Sequence, residues 1–201
     1  MKTLGVLMLD TRFPRIVGDI GHPATFDHAV RYAVVRGASP RRVVRERDPA
    51  LLQPFIDAGR SLVAQGVGAI ATSCGFLIAF QKDLRAALPV PVWTSSLLLL
   101  EGLGHAGVVT VDADALHVDA PVEGLAAGCA FQRTLLDDGA TLDERDAREQ
   151  TVAAAQRLVA RHPALTDIVL ECTNMPPYAA AVRAATGRRV HDITTLIAER
   201  F

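Results

Sequence analysis

Short apolar runs alternate with amphipathic segments along this chain. The first run, residues 4–9, is apolar throughout, as expected of a strand that is covered on both faces. Similar runs recur at 67–72, 107–111 and 168–170. Segments with apolar residues at helical spacing lie between the runs, at about 49–66, 77–88 and 143–162. The alternation predicts an α/β fold with parallel sheets.

Two stretches fit this alternation less well. Residues 12–40 are rich in glycine, proline and charge, and are predicted to leave the sheet as a long excursion of the kind that is often functional. Short strands are predicted at 33–35 and 42–44, and residues 113–143 are predicted as helix and loop.

The two halves of the chain resemble each other. With an offset of 98 residues, set by Cys74 and Cys172, Ile70 falls on Ile168 and Val92 on Val190 without a gap. Each half also opens with a glycine, four apolar or β-branched residues and an aspartate, at 5–10 and 107–112. The pattern indicates that a strand–cysteine–helix–strand–helix unit has been duplicated.

A duplicated unit predicts two similar doubly wound halves, flavodoxin-like or Rossmann-like, related by a pseudo-twofold axis. We expect residues 1–96 plus 193–201 to form the half that carries Cys74, and residues 97–192 the half that carries Cys172. Because sites in open parallel sheets form at the carboxyl ends of the strands, the two cysteines are expected to face one ligand across a cleft.

Composition limits the classes of binding partner and the cellular compartment that we expect. Of the 201 residues, 50% are hydrophobic and the net charge is −1, so nothing favours nucleic acid and a small molecule is the expected ligand. The three cysteines fit a reduced, cytoplasmic protein. No segment reads as a signal peptide or a membrane span, and a homodimer is one expectation for an enzyme of this size.

Two facing thiols suit the transfer of a proton at one carbon. One thiolate removes the proton and the opposite thiol returns one, which inverts the centre. A helix is predicted to begin after each cysteine, and helix N-termini lower thiol pKa values. Small polar neighbours beside the thiols are candidate substrate contacts: Thr72, Ser73, Gly75, Thr173 and Asn174.

Three motifs resemble those of the aspartate/glutamate racemase superfamily, in a poorly assigned branch. They are Asp10-Thr11, Thr72-Ser73-Cys74-Gly75 and Glu171-Cys172-Thr173-Asn174. The resemblance implies a two-domain α/β enzyme without pyridoxal phosphate, in which Cys74 and Cys172 are the catalytic acid and base. It also implies that Asp10 and Thr11 lie with Ser73 and Thr173 near the substrate. Gly75 and Asn174 depart from the asparagine and histidine usual in glutamate racemases, so glutamate is not the expected substrate.

The resulting hypothesis is a cofactor-independent racemase or epimerase that acts on the carbon next to a carboxylate. The alternatives are a decarboxylase or a cis–trans isomerase of the same superfamily, or a protein that binds a small acid without turnover. No metal site is expected, because no histidine has ligand spacing with a cysteine. The glycine motif at 102–107 follows a helix and precedes a strand, the reverse of a dinucleotide site, so no NAD is expected.

Several residues keep two interpretations. Glu171 is either a carboxylate supporting the site or a solvated side chain, and Asp112 either belongs to the site or caps a turn. His22 and His28 either reach the cleft or lie on the surface. Cys129 is predicted to be an ordinary buried cysteine.

Overall fold

Two parallel four-stranded sheets form the framework of the protein. The structure is a computed structural model that describes residues 2–201. The strands are β1 Leu4–Leu9, β2 Val30–Val35, β3 Ala69–Thr72, β4 Val92–Trp93, β5 Ala106–Thr110, β6 Val122–Gly124, β7 Asp167–Leu170 and β8 Arg189–His191. Their order is β2-β1-β3-β4 in one sheet and β6-β5-β7-β8 in the other. The same order in both sheets confirms the predicted fold class of two similar α/β halves.

Helices connect the strands and cover the sheets. The α-helices are α1 Leu52–Ala64, α2 Gln81–Ala87, α3 Ala130–Leu136, α4 Glu144–Arg161, α5 Ala179–Thr186 and α6 Ile193–Arg200. The α4 helix begins where the Asp143 carboxylate accepts hydrogen bonds from two free backbone N–H groups, and α5 ends at the left-handed Gly187. Short 3₁₀ segments lie at Pro49–Leu51, Gly75–Phe80, Ser96–Gly102 and Pro176–Tyr178.

Matching close contacts show the duplication in the packing. Gly5 on β1 pairs with Ile70, and Gly107 on β5 pairs with Ile168. A side chain at Gly5 would press on Leu62 of α1, and one at Gly107 would press on leucines of α4 and the loop that follows it. A glycine at the same position in each half therefore lets a helix approach the sheet closely.

Three local predictions differ from the structure. Residues 42–44 were expected to form a strand but lie in one π-helical turn, Arg41–Arg45. Gly37 has a φ of 74° and turns the chain ahead of this segment. Val43 and Val44, within the π-helical turn, are buried. A short apolar run has no period that distinguishes a strand from a buried turn. The helix expected over 77–88 is divided into a 3₁₀ segment and α2, and 113–143 contains a strand, β6, as well as α3.

The C-terminal helix packs on the first sheet. Ile193, Leu196 and Ile197 of α6 are buried in one cluster with residues of β1 and β3. The Ser96 hydroxyl in turn donates a hydrogen bond of 2.7 Å to the Leu170 carbonyl of the second sheet. The predicted boundaries between the two halves at residues 96 and 193 stay a prediction.

Across residues 2–201, no helix combines the length and the apolar composition that a membrane crossing requires.

Asp192 anchors α6, so its removal should weaken the fold. Its carboxylate is 3% exposed and accepts hydrogen bonds from the backbone N–H groups of Thr194 and Thr195. Replacing Asp192 by alanine should lower the free energy of unfolding by about 1 kcal/mol. Urea denaturation measures the change, and Glu199→Ala, an exposed site on the same helix, is the control. Equal midpoints for the two variants would contradict the prediction.

Candidate active site

Cys74 and Cys172 line one cavity between the two sheets. Cys74 follows β3 in an extended conformation, and Cys172 lies just beyond the end of β7. The space inside the cavity is narrow, at about 30 Å³. Polar or small residues on its wall are Ser73, Gly75, Glu171, Thr173 and Asn174, and apolar ones include Phe13 and Phe76. The structure therefore brings the two predicted catalytic thiols into a single cavity.

The two cysteine-bearing turns touch each other. The Thr173 hydroxyl donates a 2.7 Å hydrogen bond to the Ser73 carbonyl, and the Glu171 carboxylate and carbonyl occupy the space where a side chain on Gly75 would stand. With the offset of 98 residues, Gly75 corresponds to Thr173 and Ser73 to Glu171. The two contacts are therefore related by the pseudo-twofold axis. In each, the residue after the cysteine of one half lies against the carbonyl of the residue before the cysteine of the other half.

Burial controls the protonation of the thiols. Desolvation, followed by the nearby Glu171, raises the pKa of Cys74 to about 12, although the backbone N–H groups of Phe76 and Leu77 act in the opposite direction. Burial and Glu171 likewise raise the pKa of Cys172 well above its ordinary value, against the N–H of Asn174. The N–H groups after each cysteine thus act in the expected direction, but the expected net lowering of both pKa values is wrong, because desolvation outweighs these groups.

Glu171 is buried at the centre of the site. Its Oε2 atom accepts a 2.7 Å hydrogen bond from the Thr110 hydroxyl, whereas its buried Oε1 atom has no partner among residues 2–201. Burial raises the pKa of this carboxyl to about 7, and the Thr110 hydrogen bond lowers it in part. The interpretation of Glu171 as a solvated side chain is therefore wrong, and the carboxyl belongs to the cavity wall.

The excursion reaches the second cysteine through a buried ion pair. Asp19 is 2% exposed, and its Oδ1 atom accepts a 2.8 Å hydrogen bond from Arg15. Its Oδ2 atom accepts from the side-chain amide of Asn174, whose own oxygen accepts from the Cys172 thiol at 3.5 Å. Asn174 thus connects the excursion to Cys172.

Sequence reasoning missed Arg15 and Asp19. Composition marked the whole excursion as unusual, but the two residues form a pair only when the loop folds back over the cavity. A spacing of four residues between an arginine and an aspartate inside an irregular loop was the only local signal.

Three predicted substrate contacts lie off the cavity wall. The Asp10 carboxylate is exposed and accepts a 2.9 Å hydrogen bond from the Gly37 N–H. The Thr11 hydroxyl accepts from Arg15, and the buried Thr72 hydroxyl donates 2.6 Å to the Thr94 carbonyl. These residues support the loop and the sheet around the site, and their contact with a substrate stays a prediction.

The other candidate residues from the sequence contact side chains or backbone groups outside the cavity. Asp112 lies 3.7 Å from Arg45, His22 accepts from the Ala24 N–H, and His28 lies against the rings of Phe26 and Phe201. Cys129 caps α3 by accepting from the Gln132 N–H. In the part of the chain that the structure describes, no three histidine, cysteine or carboxylate side chains gather as a metal site would require.

The fold has relatives among solved structures of the aspartate/glutamate racemase superfamily. Allantoin racemase from Klebsiella pneumoniae superposes with a TM-score of 0.68 at 14% identity, covering 97% of this chain and 84% of that one. Unliganded arylmalonate decarboxylase gives 0.59 at 17% identity, covering 94% and 86%. An aspartate racemase homologue from Pyrococcus horikoshii gives 0.51 at 12% identity, covering 94% and 92%. At these identities the likeness establishes the fold class of this protein.

Sequence relatives define the family of this chain more closely than the fold does. A dimethylsulfoniopropionate lyase from Durusdinium sp. clade D is 31% identical over 94% of this chain and 71% of its own length. Two Emiliania huxleyi dimethylsulfoniopropionate lyases, numbers 7 and 6, are 33% and 32% identical over 96% of this chain. The chain spans 64% and 57% of those two proteins. This chain belongs to the dimethylsulfoniopropionate lyase family.

No family model matches the chain. The predicted resemblance to the racemase superfamily is confirmed for the fold, whereas racemase activity is not, because the named sequence relatives are lyases.

The Gly75–Glu171 contact generates a prediction for stability. Replacing Gly75 by alanine would place a methyl group on the Glu171 carboxylate and carbonyl, so one turn must move. We expect the free energy of unfolding to fall by about 1–3 kcal/mol. Gly102→Ala is the matched control, because nothing lies within 4 Å of its added carbon. Chemical denaturation of both variants is the measurement, and a stable Gly75→Ala protein would refute the contact.

Proposed function

We propose that this protein is a lyase that removes a proton next to a carboxylate and expels a leaving group from the adjacent carbon, with dimethylsulfoniopropionate as its substrate. The observation that carries the proposal is the pair of cysteines on one cavity, in a chain that is 31% identical to a dimethylsulfoniopropionate lyase.

The elimination requires one base. A cysteine thiolate removes a proton from the carbon next to the carboxylate, and its electron pair forms the carbon–carbon double bond. The bond between the adjacent carbon and sulfur breaks, and dimethyl sulfide leaves with the bonding electrons. Acrylate remains and the proton stays on the thiol until solvent accepts it, so atoms and charge balance.

The chain offers groups for each part of this step. The backbone N–H groups of Phe76 and Leu77 act to lower the pKa of Cys74, and that of Asn174 acts to lower the pKa of Cys172, so all three favour a thiolate. The Ser73 hydroxyl accepts from the Leu9 N–H at 2.9 Å and keeps its own hydrogen for a substrate carboxylate. Phe13 and Phe76 form an apolar part of the cavity wall, which suits contact with the departing dimethyl sulfide.

The symmetry of the two thiols favours a second candidate. A racemase or epimerase needs a proton donor and an acceptor on opposite faces of one carbon, and Cys74 and Cys172 come from opposite halves of the fold. The two reactions differ in their products: inversion returns the substrate's atoms unchanged, whereas elimination releases acrylate and dimethyl sulfide.

Product analysis tests the proposal. Incubation with dimethylsulfoniopropionate should release dimethyl sulfide and acrylate in equal amounts, measured by headspace gas chromatography and NMR. At least one of Cys74→Ser and Cys172→Ser should lower the rate about 100-fold or more, since a general base contributes roughly 10²–10⁴-fold.

Cys129→Ser is the matched control, because this third cysteine lies outside the cavity and should leave the rate unchanged. Absence of both products, with deuterium exchange and inversion at the carbon next to a carboxylate in another small acid, would replace the lyase by the racemase.

A further inference from the structure

Glu171 occupies the wall between the two thiols and has unused hydrogen-bonding capacity. Its side chain is fully buried, and its Oε1 atom stands beside Gly75, the residue that follows Cys74. The neighbouring residue on the other side is Cys172. Glu171 therefore lies on the cavity wall next to both cysteine-bearing turns.

Among residues 2–201, the hydrogen-bond partner of this carboxylate is neutral, the Thr110 hydroxyl. The two thiols lie close to Glu171, and Arg15 and Asp19 of the excursion act on the thiols. Arg15 is already bound to Asp19 and Thr11, and its guanidinium lies 4.7 Å from the centre of the Phe13 ring. No lysine, arginine or histidine lines the cavity among the described residues.

Such an arrangement is unfavourable for the ionised carboxylate. Buried carboxylates are normally paired, and an unpaired one costs free energy unless it takes up a proton. The Glu171 carboxyl accordingly has a pKa near neutrality, raised by burial to about 7. A cation that entered the cavity would remove this cost by pairing with the ionised form.

We infer that Glu171 is the counter-charge that recognises the cationic group of the substrate. The chemical class is a sulfonium or quaternary ammonium, a large and weakly hydrated cation that also interacts well with aromatic rings, such as those of Phe13 and Phe76 on the same wall. The inference rests on the proposed function for its choice of a sulfonium acid.

The same charge would assist the reaction. Glu171 raises the pKa of both thiols, so a cation that neutralises it makes either thiolate easier to form. A substrate with a second carboxylate, such as an acidic amino acid, would instead repel Glu171. The carboxyl therefore selects a zwitterionic substrate over a dianionic one and prepares the base only when that substrate is bound.

Two non-reacting acids of nearly equal shape test the inference. Both 3-(trimethylammonio)propanoate and 4,4-dimethylpentanoate carry the same carboxylate and three methyl groups, and only the first has a positive charge. Calorimetry gives the ratio of their dissociation constants in wild type and in Glu171→Gln. An opposite charge shifts a carboxyl pKa by roughly 1–3 units, so the glutamine should reduce the preference for the cation by about tenfold or more.

Glu123→Gln is the control, a buried glutamate bound by Arg157 and Arg161 away from the cavity. Its ratio should equal that of wild type. A wild-type pH series serves if Glu171→Gln does not fold. Both ligands stay ionised, and the preference for the cation should rise between about pH 5.5 and 8.5, because the Glu171 carboxyl loses its proton over that range.

The outcomes separate the two proposals. A ratio that is unchanged within about twofold in folded Glu171→Gln, or independent of pH in wild type, overturns the role of Glu171, whether or not dimethyl sulfide is formed. A preference that depends on Glu171 supports the role even in a protein that releases no dimethyl sulfide, and that second result would reject only the lyase.

Discussion

The contact between the two cysteine-bearing turns is the constraint on which the site depends. Thr173 donates to the Ser73 carbonyl, and Glu171 fills the space above Gly75, so each half supports the turn of the other. Because both contacts are buried, the halves cannot separate there without exposing unpaired polar groups. The junction holds the two sheets together beside a narrow cavity, where Cys172 is buried and Cys74 is partly buried.

Desolvation explains why neither thiol is prepared for base catalysis by the protein alone. Burial raises the pKa of Cys74 to about 12 and that of Glu171 to about 7, and the nearby Glu171 adds to the shift of Cys74. In a racemase of acidic amino acids, further negative charge would increase this penalty. A sulfonium acid would reduce it, which gives the proposed lyase a physical reason to use the same two-thiol framework as its racemase-like fold relatives.

The excursion completes the site from outside the sheets. Its Arg15–Asp19 pair is buried and binds Asn174, which contacts the Cys172 thiol, while Phe13 forms part of the cavity wall. Arg12 also binds Asp138 of the second half, with 3.0 Å between the side chains. Residues 12–29, which form neither a helix nor a strand, thus join both halves and fix the surroundings of one thiol.

The sequence by itself determined the duplicated α/β framework, since apolar runs and a single offset between Cys74 and Cys172 are local patterns. It also identified those thiols, with Ser73, Gly75, Thr173 and Asn174, as neighbours of a common site, because strand ends in parallel sheets converge. Only the tertiary structure decided which groups lose water. Burial reversed the expected thiol pKa values, placed Glu171 inside and left Asp10 outside. Desolvation depends on atoms from distant segments, and no local pattern encodes it.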